Sequence, residues 1–264
     1  MGSIPEETRK EILGLLINTI NEKLRKYAPE TTYMPFHEAL IGKGWVRLFS
    51  ILQSINTTLG MSIWEQTAVL LARGAGYHAK RSYTLLGEID EGTELLITKI
   101  HEELRSGKRQ PDKCRETEEI RENIRPSKNP QIHPDSTVDV FIKTKDGTEY
   151  YIDITTVKPN KKEFQALKRK MLVWTALRLS QDKDAKVFTA VAIPYNPYHP
   201  RPYNRWTLSD LYDLERGELL VGEDFWNLVG GSEGVYEELL EVFGEAGTYL
   251  RRRVDAFLRG TSQP

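Results

Sequence analysis

The fold turns on residues 132–160, "IHPDSTVDVFIKTKDGTEYYIDITTVKPN". Two alternating, β-rich runs, 138–143 and 149–157, flank Lys145-Asp146-Gly147, whose residue types form turns. Side chains alternate faces along a strand, so the loop length decides which residues meet. A two-residue loop at Asp146-Gly147 puts Asp139 opposite Ile154. A three-residue loop closed by a left-handed glycine puts Thr144 opposite Thr148, Phe141 opposite Tyr151, and Asp139 opposite Asp153. The second register gathers Val138, Val140, Ile142, Ile152 and Ile154 on one apolar face, and it is preferred. Its cost is two like charges opposed across a ladder. A hard divalent cation such as Mg²⁺, which takes carboxylate, water and phosphate oxygens, offsets that repulsion. The plainer alternative is that the aspartates, and Asp135 before them, are simply solvated.

Working outward, helical periodicity runs over 6–27, with Ile12, Leu15, Leu16, Ile20 and Leu24 on one stripe, and a second helix is predicted over 45–55. "SIWEQTAVLLARGAG" predicts a third, with Ser62 and Glu65 as a capping box. Residues 86–104 read as helical, and "RSGKRQPDKC" as an exposed basic connection. After the hairpin, Phe164, Leu167, Met171 and Trp174 mark a long helix. "KVFTAVAIPY", 186–195, reads as a buried strand. The proline- and aromatic-rich loop "YNPYHPRPYNRW" follows. Short helices are predicted around Phe225–Trp226 and over 236–243, and a final one carries Leu250, Val254, Phe257 and Leu258.

Strand, strand, helix, strand with helices before it predicts an α/β or α+β fold, a central sheet with helical cover. One domain is expected over 1–264, helical over about 1–125 and again over about 207–264.

The 264 residues are 39% hydrophobic and 28% charged, as in folded globular chains. No apolar run reaches the roughly 20 residues of a membrane span, and the acidic amphipathic start is unlike a signal peptide. Cys114 is the single cysteine, which excludes an intrachain disulfide and a cysteine zinc cluster and points to a reducing cytoplasm. With 37 basic and 38 acidic residues, the chain lacks the excess positive charge of a nonspecific nucleic-acid binder. The five histidines, His37, His78, His101, His133 and His199, are too dispersed for zinc spacing. There is no P-loop, dinucleotide fingerprint or serine nucleophile elbow.

An aspartate on one strand, a hairpin, and a second acid near the end of the next strand resemble the PD-(D/E)xK nuclease pattern. The longer combination of "VDVFIKTKDGTEYYIDITTVKPN", "FQALKRKMLVW", "YNPYHP" and "VGEDFWNLVGG" resembles the TdeIII-like type II restriction endonucleases, over about 35–245. The resemblance implies a restriction-endonuclease-like mixed sheet flanked by helices. It also implies Mg²⁺-dependent cutting of double-stranded DNA at a short GC-rich palindrome of GGNCC type, by a homodimer accompanied by a cognate DNA methyltransferase. Asp139 then matches the first acid and Asp153 the second, with Asp135 the alternate.

The motif lysine should follow Asp153 by two residues, where this chain has Thr155. A lysine supplied from elsewhere, Lys158 or Lys168, is the preferred explanation. Chemistry by metal and water alone, or loss of activity in a chain that only binds DNA, are the others. A different metal-dependent phosphoester hydrolase and a purely structural protein stand further off. Glu65 is the candidate third carboxylate, with Glu38 behind it. Base-reading candidates are Arg201 and Arg205 in the loop, Lys80 and Arg81, and Lys108 and Arg109, since a basic side chain can grip guanine O6 and N7. Lys161, Lys162, Arg169 and Lys170 are candidates for phosphate contacts.

Overall fold

A computed structural model describes residues 3–28, 31, 33–205 and 208–258, without the side chains of Met61, Phe257 and Leu258. The readings that rest on those last two side chains and on Trp206 lie outside the described residues.

The hairpin forms as β2 (Gln131–Lys143) and β3 (Glu149–Ile154), with Phe141 opposite Tyr151. Gly147 at φ +86° closes the three-residue turn, where only glycine is free of a Cβ penalty. Asp146 accepts from the hydroxyls of Thr144 and Thr148 and pins the turn from within. The long helix is α7 (Lys161–Gln181), N-capped by Asn160, whose side chain accepts from the Glu163 N–H. It leads to β4 (Val187–Ile193), parallel to β3. The sheet is completed by β1 (His78–Gly87), antiparallel to β2, and by β5 (Leu219–Val221), parallel to β4, in the order β1-β2-β3-β4-β5.

Helices cover both faces. On one lie α1 (Glu6–Arg25), α4 (Trp64–Gly74), α9 (Glu223–Gly230) and α10 (Val235–Leu258), which bury Ile12, Leu71, Trp226 and Val242 against Val140 and Ile152. On the other lie α5 (Glu91–Arg105), α6 (Lys113–Asn123), α7 and α8 (Leu208–Leu211), which bury Ile97, Ile120 and Trp174 against Phe141 and Tyr151. Val138, expected beside Val140, packs in this second layer. The neighbouring β1 departs from a regular pleat at that level, where Ser82 takes φ +49°. Among the described residues no helix is long and apolar enough to cross a membrane.

Several expectations are corrected. The helix expected over 86–104 forms as α5 from Glu91, its first two residues ending β1 instead, and with β1 the N-terminal part is not wholly helical. The basic connection at 105–114 does form between α5 and α6, but α6, whose first two residues it supplies, is not among the elements expected from the sequence. The two C-terminal helices expected past 236 are the single helix α10. The capping box does not form either. Ahead of α4 come α2 (Pro35–Ile41) and α3 (Lys43–Thr58), and α3 runs straight into a π-helical turn (Leu59–Ile63) and on into α4. The Trp64 N–H bonds Leu59 O, five residues back, and the Ser62 hydroxyl faces Thr58 O at 3.5 Å, inside the helix. Glu65 is therefore not held by a cap.

Candidate active site

The strands pair from Lys143↔Glu149 to Val140↔Ile152. One residue further along each strand come Asp139 and Asp153. There the Ile154 N–H donates to Asp139 Oδ2 at 2.7 Å, so a side-chain carboxylate takes the place of a strand carbonyl and the ladder ends. Burial pushes the Asp139 carboxyl up, and the Asp153 and Glu65 carboxylates push it further, to about 7. The buried Asp153 meets a cation: Lys170 Nζ donates to its Oδ2 at 2.6 Å. Lys170 arrives from α7 across the Trp174 ring, 5.1 Å from the ring centre, and the Trp174 indole is itself held by Asp135 O.

Glu65 approaches from α4. Burial raises its carboxyl, the neighbouring Asp153 adds to the rise, and the Arg81 guanidinium, 3.4 Å away, opposes it. Ser82 lies between Arg81, paired with Val140, and Tyr83, paired with Val138, and so at the level of Asp139. A serine at positive φ inside a strand is strained, and strain of this kind collects at functional sites. The π-helical turn just before Glu65 belongs to the same class of feature.

The lysine that the structure pairs with Asp153 is Lys170, not either of the two expected. Lys158 stands over the Tyr198 ring at 5.5 Å. Lys168 is fully buried elsewhere, 2.8 Å from Glu116 and 2.6 Å from Glu218. Lys113 joins that cluster, donating to Thr189 O at 2.6 Å. The physical reason is helical phase: residues two apart point roughly 200° apart around a helix, so Lys168 and Lys170 cannot face one site. Thr155, at the motif position, donates its hydroxyl to Glu163 Oε1 at 2.7 Å. Lys170 shares its helical phase with Glu163, seven before it, and Trp174, four after, but the sequence does not say that this flank of α7 meets the strand end.

Of the other acids, Asp135 pairs with Arg169 at 3.1 Å, away from the strand end, and Glu38 lies on α2. Among the basic candidates, Arg81 is at the site through Glu65. Lys80 lies 5.7 Å from the centre of the Tyr83 ring. Arg201 is exposed, and Arg205 is half-buried near Tyr203. Their loop is tied to the segment leaving Asp153, because the Tyr203 hydroxyl donates to Val157 O at 3.1 Å. Lys161 and Lys162 are exposed at the start of α7, and Lys108 is exposed. Arg109 is engaged by Glu103 and Glu119, and Arg169 also pairs with Glu94.

Among the described residues no three histidine, cysteine or acidic side chains form a ready metal cage. The donors are a two-carboxylate pair with Glu65 beside it. That set fits a hard cation that keeps most of its ligands as water or phosphate oxygen, and the raised Asp139 carboxyl marks where added positive charge is favoured.

Comparison with known proteins gives the class. MjaII of Methanocaldococcus jannaschii, a type II restriction enzyme, is 27% identical over 252 residues, covering 88% of this chain and 66% of its own length. HgiCII of Herpetosiphon aurantiacus, another, is 28% identical over 218 residues, 81% of this chain and 77% of its own. The chain belongs to the HinfI type II restriction endonuclease family, whose model matches residues 4–247. That family makes it, by class, a site-specific deoxyribonuclease. The TdeIII-like resemblance is finer than this match; the two agree at the level of type II restriction endonuclease.

Proposed function

We propose that this chain is a PD-(D/E)xK nuclease with a restriction-endonuclease-like fold that hydrolyses phosphodiester bonds of double-stranded DNA at a specific short sequence, with Mg²⁺. The observation that carries the reading is the opposed pair Asp139 and Asp153 at a strand end, with the Lys170 ammonium on the second acid. Asp139 and Asp153 would hold the ion, with Glu65 as an outer carboxylate. Mg²⁺ bound there supplies Lewis-acid polarisation of the phosphate and makes water a better nucleophile. Lys170 acts in the role of the motif lysine, orienting the attacking water and balancing charge on the phosphate. Thr155 does not replace it, since its hydroxyl is committed to Glu163. Arg81 offsets the charge of Glu65. Arg201, Arg205, Lys80 and Lys161 are the proposed DNA contacts, and phosphate contacts by them would set the register of the duplex.

The TdeIII-like resemblance extends the proposal to a GC-rich palindrome of GGNCC type, cut in the cytoplasm by a homodimer that coexists with a cognate methyltransferase. One observation favours a second reading, a DNA-binding protein that has lost cleavage: threonine stands where the motif has lysine. Incubating the protein with a long duplex of known sequence, with Mg²⁺ and with chelator, separates the two. Discrete bands with Mg²⁺ alone, lost in Asp153→Asn, are expected. Intact DNA throughout, with tight binding, would leave the second reading.

A further inference from the structure

We propose that the apolar outer face of α2 and α3 is the two-fold interface of a homodimer. A surface helix needs one apolar stripe to join a core, and α3 has two. Val46 and Ile51 point inward and are buried. Trp45, Phe49 and Leu52 point outward, and Phe36 and Leu40 on the adjoining α2, with Tyr33 just before it, are exposed as well. These six are 52% to 84% exposed. Side chains of this size at that exposure present on the order of 1,000 Å² of surface. A monomer's largest apolar patch seldom exceeds about 600 Å², and one partner's share of a stable interface is about 800 Å².

The chemistry of the patch selects a second copy. Across residues 33–55 the charged side chains are Glu38, Lys43 and Arg47. Phosphate binding needs a surplus of cations, which this set does not provide, whereas interface cores are depleted of charge and rich in aromatics. A two-fold contact sets the same patch against itself, and with Glu38 and Lys43 on one patch, a copy can oppose unlike charges at its edge. The choice also rests on the nuclease reading above, since cutting both strands of a palindrome wants two carboxylate pairs. α3 runs through the π-helical turn into α4 and Glu65, so one continuous helix ties the interface to each site.

The test is sedimentation of the full chain from about 1 to 50 µM, with far-UV circular dichroism as the check on folding. Wild type is expected at twice 30.4 kDa. Leu40→Glu with Phe49→Glu should weaken self-association at least 100-fold, while Leu95→Glu, an exposed leucine on α5, should leave it unchanged. Should the double variant misfold, Leu40→Lys alone carries the comparison. A monomeric wild type, or a dimer that survives these changes, overturns the proposal. A monomer whose DNA affinity falls with Leu40→Glu would give the face to DNA, and overturns it equally. A dimer of this kind that never cuts DNA leaves the interface standing and removes the nuclease reading; a cutting monomer does the reverse.

Discussion

At the scale of the residue, the proposed site turns on Lys170, two positions from Lys168 and distinct also from Lys158, the two lysines expected there. Lys170 makes a 2.6 Å bond to Asp153, and Lys168 makes none there. Lys170→Met should lower the cleavage rate about 10²–10³-fold, the usual cost of losing one charge-stabilising donor. DNA binding with Ca²⁺ in place of Mg²⁺ should persist. Cleavage within threefold of wild type would remove Lys170 from the chemistry. Thr155→Lys should give no gain, because Lys170 already supplies the ammonium; a marked increase would mean the site lacks one. The opposition of Asp139 and Asp153 was legible from loop length and parity alone. Lys170 was not, because both lysines flank the apolar stripe of α7 and only the fold says which flank faces the strand end.

At the scale of the element, the parts that escaped sequence reading lack an apolar signature. β1 is an edge strand with Lys80 and Arg81 in its exposed positions and "TLLGEI" at its end, so it shows neither alternation nor β-rich composition. β5 is three residues long. α6 buries Lys113 and Glu116 beside Ile120, so its inner face reads as polar. That face is held by charge. Lys168→Met should leave Glu116 and Glu218 short of a partner and cost about 3–5 kcal/mol, a fall in Tm of roughly 10 °C. An unchanged Tm would show the cluster adds nothing. Pairing also controls the start of β3. Burial would raise the Glu149 carboxyl, but hydrogen bonds from Arg178, Lys143 and Tyr151 outweigh it and hold it at about 2. Its pKa is lower folded than unfolded, so the stabilisation is complete above the ordinary value of 4.5 and is lost as pH falls from there towards 2. The amount is up to about 3 kcal/mol. Glu149→Gln should therefore flatten the fall of Tm between pH 5 and pH 2.5; parallel curves for wild type and variant would refute the assignment.

At the scale of the whole molecule, two apolar layers sandwich the sheet, and the ends of the chain close one of them. α1 packs along α10, Glu238 accepts from the Ile4 N–H at 3.0 Å and also from the Ser3 N–H, and Arg9 bonds Glu245 at 3.3 Å. The strand-helix-strand centre was legible because its apolar patterns are strong. Closure by α1 and α10 was not, because amphipathic stripes state that a helix buries a face without saying against what. The π-helical turn at 59–63 links the outer surface to the centre, and it can be viewed as an angular setting. One residue more or fewer in a helix turns everything beyond it by about 100°. Deleting Gly60 would let α3 and α4 merge into one regular helix, with every side chain of the site still present. Yet Glu65 would swing away from Arg81 and Asp153, and the apolar face of α3 would point in a new direction relative to the sheet. The expected result is a helical, folded protein with cleavage down at least tenfold. Such a variant would be a mutation of orientation alone, and an undiminished cleavage rate would mean that the angle between α3 and α4 does not matter to the chemistry.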